Sequence, residues 1–195
     1  MQMKKDEVKH WEEKAVIYQW LAKYYQGQVA AGSMCIHKIA KYLRVDEPVL
    51  EQEETAEYDF NRLFVGPTKL LAPPFESVYR SKDRLVMQAE TLAVRKKYAE
   101  AGLEIQKKHT IPDDHMSFEL VFLNYLLIEY LQNLEKTKGE KLCYLQLYQM
   151  FIKEHLSVWA FGHLQDVIEK AQTEYCRQVA IYFSAFLKAE KMASS

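Results

Sequence analysis

The residues of this chain that could do chemistry gather in two short stretches. The first is Phe60-x-x-Leu63-Phe64-Val65-Gly66-Pro67, followed by Ala72-Pro73-Pro74-Phe75-Glu76-Ser77-Val78-Tyr79. It combines aromatic and aliphatic side chains with prolines and one carboxylate, Glu76. Such a stretch can form one wall of an apolar groove. At helical spacing, Leu63 and Phe64 read first as a helix end packed on its core. The second stretch is Pro112-Asp113-Asp114-His115. It reads as a capped helix start, because proline is tolerated in the first turn and carboxylates favour the positive end of a helix dipole. It also reads as an acidic corner able to pair with guanidinium groups.

Catalytic readings fall short on ligands. His115 and Glu119 lie four residues apart and could share a metal with Asp114. A zinc site needs three or four protein ligands, and a di-iron bundle needs two Glu-x-x-His pairs. This chain offers one such pair, Glu7 to His10. No Gly-x-Ser-x-Gly elbow, phosphate-binding glycine loop or Cys-x-x-Cys occurs. Cys35, Cys143 and Cys176 sit in apolar helical stretches, where burial leaves a thiol inert. Their odd number and wide spacing fit reduced thiols in a cytoplasm. No catalytic residue, metal ligand or bound cofactor is expected.

The elements that must position these stretches are helical. Glycine (6) and proline (5) are scarce among the 195 residues, and helix formers abound. Trp11, Ala15, Tyr18, Ala22 and Tyr25 form one apolar stripe from about Asp6 to Gln26. Gly27 and Gly32 break it, and a short helix follows with Ile36, Ile39, Ala40 and Leu43 inward. Asp46-Glu47-Pro48 predicts the start of an acidic helix that closes on Phe60, Leu63 and Phe64. The segment from Gly66 to Tyr79 has no helical period; its length and its apolar side chains suit a functional loop lying against the body of the protein. A helix is expected from about Asp83 to Ala101, with Gly102 as its C-cap. The central helix should run from Pro112 to about Lys138, apolar nearly all round and therefore buried. Helices from Glu140 to His155, Ala160 to Ala171 and Thr173 to Met192 complete an all-α, multi-helix bundle in a single domain, 1–195. The connector at 102–112 could hinge a domain swap, so monomer and swapped dimer are both open.

Composition narrows the partners. Twenty-six basic residues balance 27 acidic ones, and no basic run could track a phosphate backbone, so no nucleic acid is expected. The most apolar stretch, Phe118 to Leu134, carries Glu119, Asn124, Glu129 and Gln132, which argues against an integral membrane segment. The N-terminal residues lead into a charged helix with no apolar signal region. These features point to a cytoplasmic protein.

Taken in order, the two constellations resemble the TorD/DmsD family of redox-enzyme maturation chaperones. A helix ending aromatic-x-x-Leu-Phe, then Gly-Pro, then Pro-Pro-aromatic and Ser-Val-Tyr, is similar to the first family signature. It is met by Phe60, Leu63, Phe64, Gly66, Pro67, Pro73, Pro74, Phe75, Ser77, Val78 and Tyr79. In the second, Glu-Pro-x-Asp-His, Pro112, Asp114 and His115 match, while Ile111 stands where Glu is usual. His155-Leu156-x-x-Trp159-x-Phe161, Ala171 and Tyr175 resemble the C-terminal half, with Val158 where proline is frequent. The resemblance runs from about residue 10 to 190. It implies a TorD-like fold and a chaperone that binds the twin-arginine signal peptide of an apo molybdopterin oxidoreductase until its cofactor is inserted. It also implies guanine-nucleotide binding, seen in some members. The peptide-binding residues implied are Phe60, Leu63, Phe64, Gly66, Pro67, Phe75, Glu76, Tyr79, Pro112, Asp113, Asp114 and His115.

Two readings of other classes make different demands. A helical transcriptional regulator would need a polar, basic second helix near Met34 to Leu43, which here is mostly apolar. A small helical enzyme would need a pocket with converging titratable groups.

Overall fold

The computed structural model describes residues 5–50, 55–67, 69–105, 111–134 and 138–193. They form α1 (Lys5–Tyr25), α2 (Ala31–Leu43), α3 (Ala56–Phe64), α4 (Glu76–Arg80), α5 (Ala89–Glu100), α6 (Met116–Gln132), α7 (Lys138–Phe151), α8 (Ser157–Lys170) and α9 (Glu174–Ala193). A π-helical turn, Ile152–Leu156, joins α7 to α8. Among the described residues the one β pairing is an isolated antiparallel bridge between Phe75 and His115. The expected all-α bundle is therefore the fold.

The core forms because each helix turns one stripe inward. On α1 the buried positions include Ala15, Tyr18, Ala22 and Tyr25, the three-and-four spacing read from the sequence. This helix packs on α2 and α6, while α9 closes the other side against α2 and α8. Thus α2, where a recognition helix would lie, is held between α1 and α9. Of α6, Met116, Leu120, Leu123, Leu126 and Leu127 are fully buried. Val121 and Ile128 are not, so the helix is less completely enclosed than its composition predicts.

Polar links tie the bundle where sequence alone gave no sign of them. Lys14 and Glu190 form a buried ion pair at 2.7 Å, and Tyr18 donates to the same carboxylate at 3.0 Å. Asp59 is buried and accepts from Thr173 N and Oγ1, both at 2.8 Å, and from Gln172 N at 2.9 Å. It thereby caps the start of α9 from α3. Burial alone would raise its pKa, but the bonds from Thr173 and Arg62 outweigh that and hold it below the usual carboxylate range.

Several boundaries differ from expectation. Gly32 does not break a helix; it lies in the first turn of α2, where a Cβ would come within 2.7 Å of the Tyr175 hydroxyl. That hydroxyl donates to Val29 O and accepts from Ser33 N. No helix starts at Asp46-Glu47-Pro48: α2 ends at Arg44 in the left-handed region, and residues 45–50 are irregular. Val49 is almost fully exposed, so an apolar stripe there would have had nothing to cover. Of the expected acidic helix, the closing part forms α3 (Ala56–Phe64), whereas residues 51–54 lie outside the described residues, as does 106–110 in the expected hinge at 102–112. Cys35 and Cys176 are buried, but Cys143 is exposed, because that face of α7 points away from the core.

Candidate functional site

Both sequence constellations meet at one corner. The proline segment runs beside the start of α6: Glu76 N donates to Asp114 O at 3.1 Å and Met116 N to Pro74 O at 2.8 Å. Phase is set by the Phe75–His115 bridge, whose rings meet edge-on with centroids 5.0 Å apart. His115 is the N-cap of α6, its Nδ1 accepting from Ser117 N at 3.1 Å. Burial lowers its pKa to about 4, with the charge of Asp114 opposing; a neutral imidazole is what an accepting Nδ1 requires.

Asp114 has a different task from the one its place suggests. It is fully buried, and its oxygens accept from Ser77 N at 2.7 Å and Thr91 Oγ1 at 2.8 Å. It thus joins α4 and α5 to the start of α6. Its burial, not a shortage of lone pairs, closes it to an incoming arginine. Glu76 is equally inaccessible. It pairs with Arg80 and with His155 Nδ1 at 3.0 Å. Close by, Glu119 accepts from Trp159 Nε1 at 3.1 Å through Oε2, whereas its Oε1 is buried without a partner among the described residues. Burial first, then the neighbouring Glu76, pushes its pKa well above the ordinary 4.5. Two carboxylates have no proton to share. Once protonated, Glu119 can donate to Glu76, which accounts for the orphaned oxygen.

The aromatic residues are also turned inward. Phe60, Leu63 and Phe64 are buried. Phe64 packs among Phe60, Tyr25 and His163 at centroid distances of 4.9, 5.4 and 5.6 Å. They form core and not a groove wall, because α3 packs against Tyr24 and Tyr25 of α1 and His163 of α8. Gly66 takes φ +103° in the turn that follows α3, and Pro67 is exposed. Tyr79 stacks on Trp159 at 5.8 Å and donates to Asp166 at 2.8 Å; Gly162 leaves room for its ring. Phe75 and Tyr79 are half-buried.

The accessible surface lies next door, where a helix was expected. Residues 81–88 form turns, with Arg84 and Met87 at φ +52° and +61°, conformations that side chains other than glycine seldom adopt. Ser81 Oγ accepts from Leu85 N, and the Gln88 side chain donates to Val86 O. These local bonds compete with helix formation. Leu85, Val86, Met87, Leu92 and Ile111 are 57, 42, 57, 62 and 41% exposed, and exposed apolar side chains that cluster, as Met87, Leu92 and Ile111 do, mark an interaction surface. Met87, Thr91, Leu92, Ile111 and Pro112 line a hollow of about 150 Å³, together with Arg95 and Asp113. A second hollow of about 400 Å³ shares Arg95 and Asp113 and is lined further by Tyr98, Gly102, Leu103, Glu104 and Ile105. Asp113 is thus the acidic-corner carboxylate that borders open space, and it is held by Arg95. Sequence reasoning missed Leu85, Val86, Met87, Leu92 and Arg95. The available signal was Ile111, an apolar residue where the signature has a carboxylate.

The buried carboxylates of this corner, Glu76, Asp113 and Asp114, would meet the phosphates of a nucleotide with like charge. Among the described residues no three His, Cys, Asp or Glu side chains gather as a metal site, and no helix is long and apolar enough to cross a membrane.

A family model described as the nitrate reductase delta subunit matches residues 30–164. The chain is 25% identical over 135 residues to a probable Tat proofreading chaperone DmsD of Haemophilus influenzae, covering 69% of this chain and 59% of that protein. It is 26% identical over 132 residues to the chaperone protein TorD of Aliivibrio salmonicida, covering 68% and 60%. It is 31% identical over 74 residues to the Tat proofreading chaperone DmsD of Salmonella typhi, covering 38% and 36%. The chain therefore spans about three-fifths or less of the length of these relatives. With the model matched over most of its residues, the chain belongs to the nitrate reductase delta subunit family and is a member of its TorD/DmsD group.

Proposed function

We propose that this protein is a cytoplasmic chaperone, not an enzyme, that binds the twin-arginine signal peptide of an apo molybdopterin oxidoreductase and holds it until cofactor insertion and export. Its relatives carry the names Tat proofreading chaperone and chaperone protein, which supports the class. The observation that carries the reading is the hollow in which the exposed apolar side chains Met87, Leu92 and Ile111 lie beside Asp113. A twin-arginine leader joins guanidinium groups to an apolar, helix-forming stretch. A receptor for it needs an apolar surface with a carboxylate at its edge. In this reading the apolar stretch supplies most of the affinity, since burial contributes roughly 25 cal/mol per Å² before ordering costs. Phe60, Leu63, Phe64, Glu76 and Asp114 act from beneath, by fixing the proline segment and α5.

Co-purification from the native host with mass spectrometry tests this. The expected partner is the catalytic subunit of a molybdopterin oxidoreductase still carrying its leader. Recovery of that subunit after removal of the leader by truncation, in equal amount, would overturn the signal-peptide reading.

A further inference from the structure

Asp113 already holds a guanidinium group. Arg95 Nε donates to Asp113 Oδ2, and the pair divides the two hollows, each of which is lined by both residues. The partners differ in accessibility: the Asp113 side chain is 5% exposed, but Arg95 is 47% exposed. Arg95 projects from the middle of α5, a helix of 12 residues, so its side chain can swing to solvent without moving the backbone. The aspartate cannot follow. Its backbone carbonyl accepts from Tyr98 Oη at 3.0 Å, and the next residue is the buried Asp114.

We propose that Arg95 is a resident substitute for a client arginine, occupying Asp113 in the free protein and yielding it to an arginine of the bound peptide. This rests on the peptide reading given above. Two effects follow from exchanging one guanidinium for another. Asp113 is never left as an unpaired, nearly buried anion, a state that is costly. The affinity gained from the client arginine is also discounted by the resident pair it replaces. Release is eased in the same way, because Arg95 reclaims the carboxylate as the peptide leaves.

Arg95→Gln removes the cation and keeps a side chain of similar reach. Calorimetry at low salt would use a synthetic twin-arginine leader peptide and the same peptide with both arginines replaced by glutamine. Lys96→Gln, an exposed cation one residue along, is the control for general charge. The expected result is at least about fivefold tighter binding of the arginine peptide to Arg95→Gln, the upper end for an exposed ion pair, because Asp113 is nearly buried. The glutamine peptide should gain little, Lys96→Gln should gain little, and Arg95→Gln should have no effect once Asp113→Asn is present. Unchanged or weaker binding by Arg95→Gln, while the wild type binds the arginine peptide, overturns the substitute role and leaves the peptide reading standing. An equal gain for the glutamine peptide or in Lys96→Gln overturns it as well. If the arginine peptide binds neither folded protein, the peptide reading and this inference both fail.

Discussion

Replacing Asp114 by alanine should damage the fold first and binding only as a consequence. The carboxylate receives Ser77 N at 2.7 Å and Thr91 Oγ1 at 2.8 Å in a fully buried setting. Alanine would leave two buried donors without an acceptor. Each such donor costs about 1–3 kcal/mol, so Asp114→Ala should lose about 2–6 kcal/mol, the upper end if no water enters. Asp114→Asn keeps one acceptor oxygen, and the Thr91 hydroxyl can rotate to accept from the new amide. That variant should lose about 1–2 kcal/mol, mainly the charge-assisted part of the two bonds. Urea unfolding followed by circular dichroism gives both values by linear extrapolation. Peptide affinity, measured where each variant is fully folded, should change little for Asp114→Asn. A stability loss below about 0.5 kcal/mol for Asp114→Ala, with peptide binding abolished, would refute the reasoning and return Asp114 to the ligand.

Glu119→Gln should become more stable than wild type as pH rises. The folded pKa of Glu119 lies well above its ordinary 4.5, so the stability it contributes is complete below about pH 4.5 and lost as pH climbs through the folded value; glutamine, which cannot titrate, escapes that loss. Urea midpoints at pH 5 and pH 8 test this, and a difference from wild type that does not change with pH contradicts it. Phe64→Ala should cost about 3–5 kcal/mol, as for an emptied aromatic core site, and half-buried Phe75→Ala distinctly less; equal thermal shifts would contradict the division. A leader with both arginines changed to lysine should bind modestly more weakly, since charge survives and bidentate geometry is lost. One with two leucines of its apolar stretch changed to serine should lose more, and the reverse order in calorimetry would mark an arginine reader.

The long helices were legible because their periodicity is imposed by the core they face. The stripe of α1 and the bounds of α9 follow from the sequence to within a residue or two. The site was legible as a meeting of two motifs, but not which side chains within it face outward. Phe60 and Phe64 have the spacing of a wall and of a core alike; only the placement of Tyr25 and His163, distant in sequence, decides for the core. Asp114 looks like a cap for its own helix, yet its oxygens reach Ser77 and Thr91, which lie 37 and 23 residues earlier. Residues 83–88 have ordinary helix formers, and no sequence period announces the positive φ of Arg84 and Met87 that turns Leu85, Val86 and Met87 to solvent. Glu119 next to Trp159 and Glu76 is likewise a tertiary fact, since the three come from α6, α8 and α4.

The central claim is that the leader peptide lies on the apolar surface around Leu92, with Asp113 at its edge. Leu92→Asp tests it most directly, because Leu92 is 62% exposed on α5 and its replacement should leave the melting temperature almost unchanged. Calorimetry with the twin-arginine leader should then show at least a tenfold loss of affinity, about 1.4 kcal/mol or more, for placing a charge in an apolar contact. Wild-type affinity in a folded Leu92→Asp protein would contradict the claim and move the peptide to another face of the bundle.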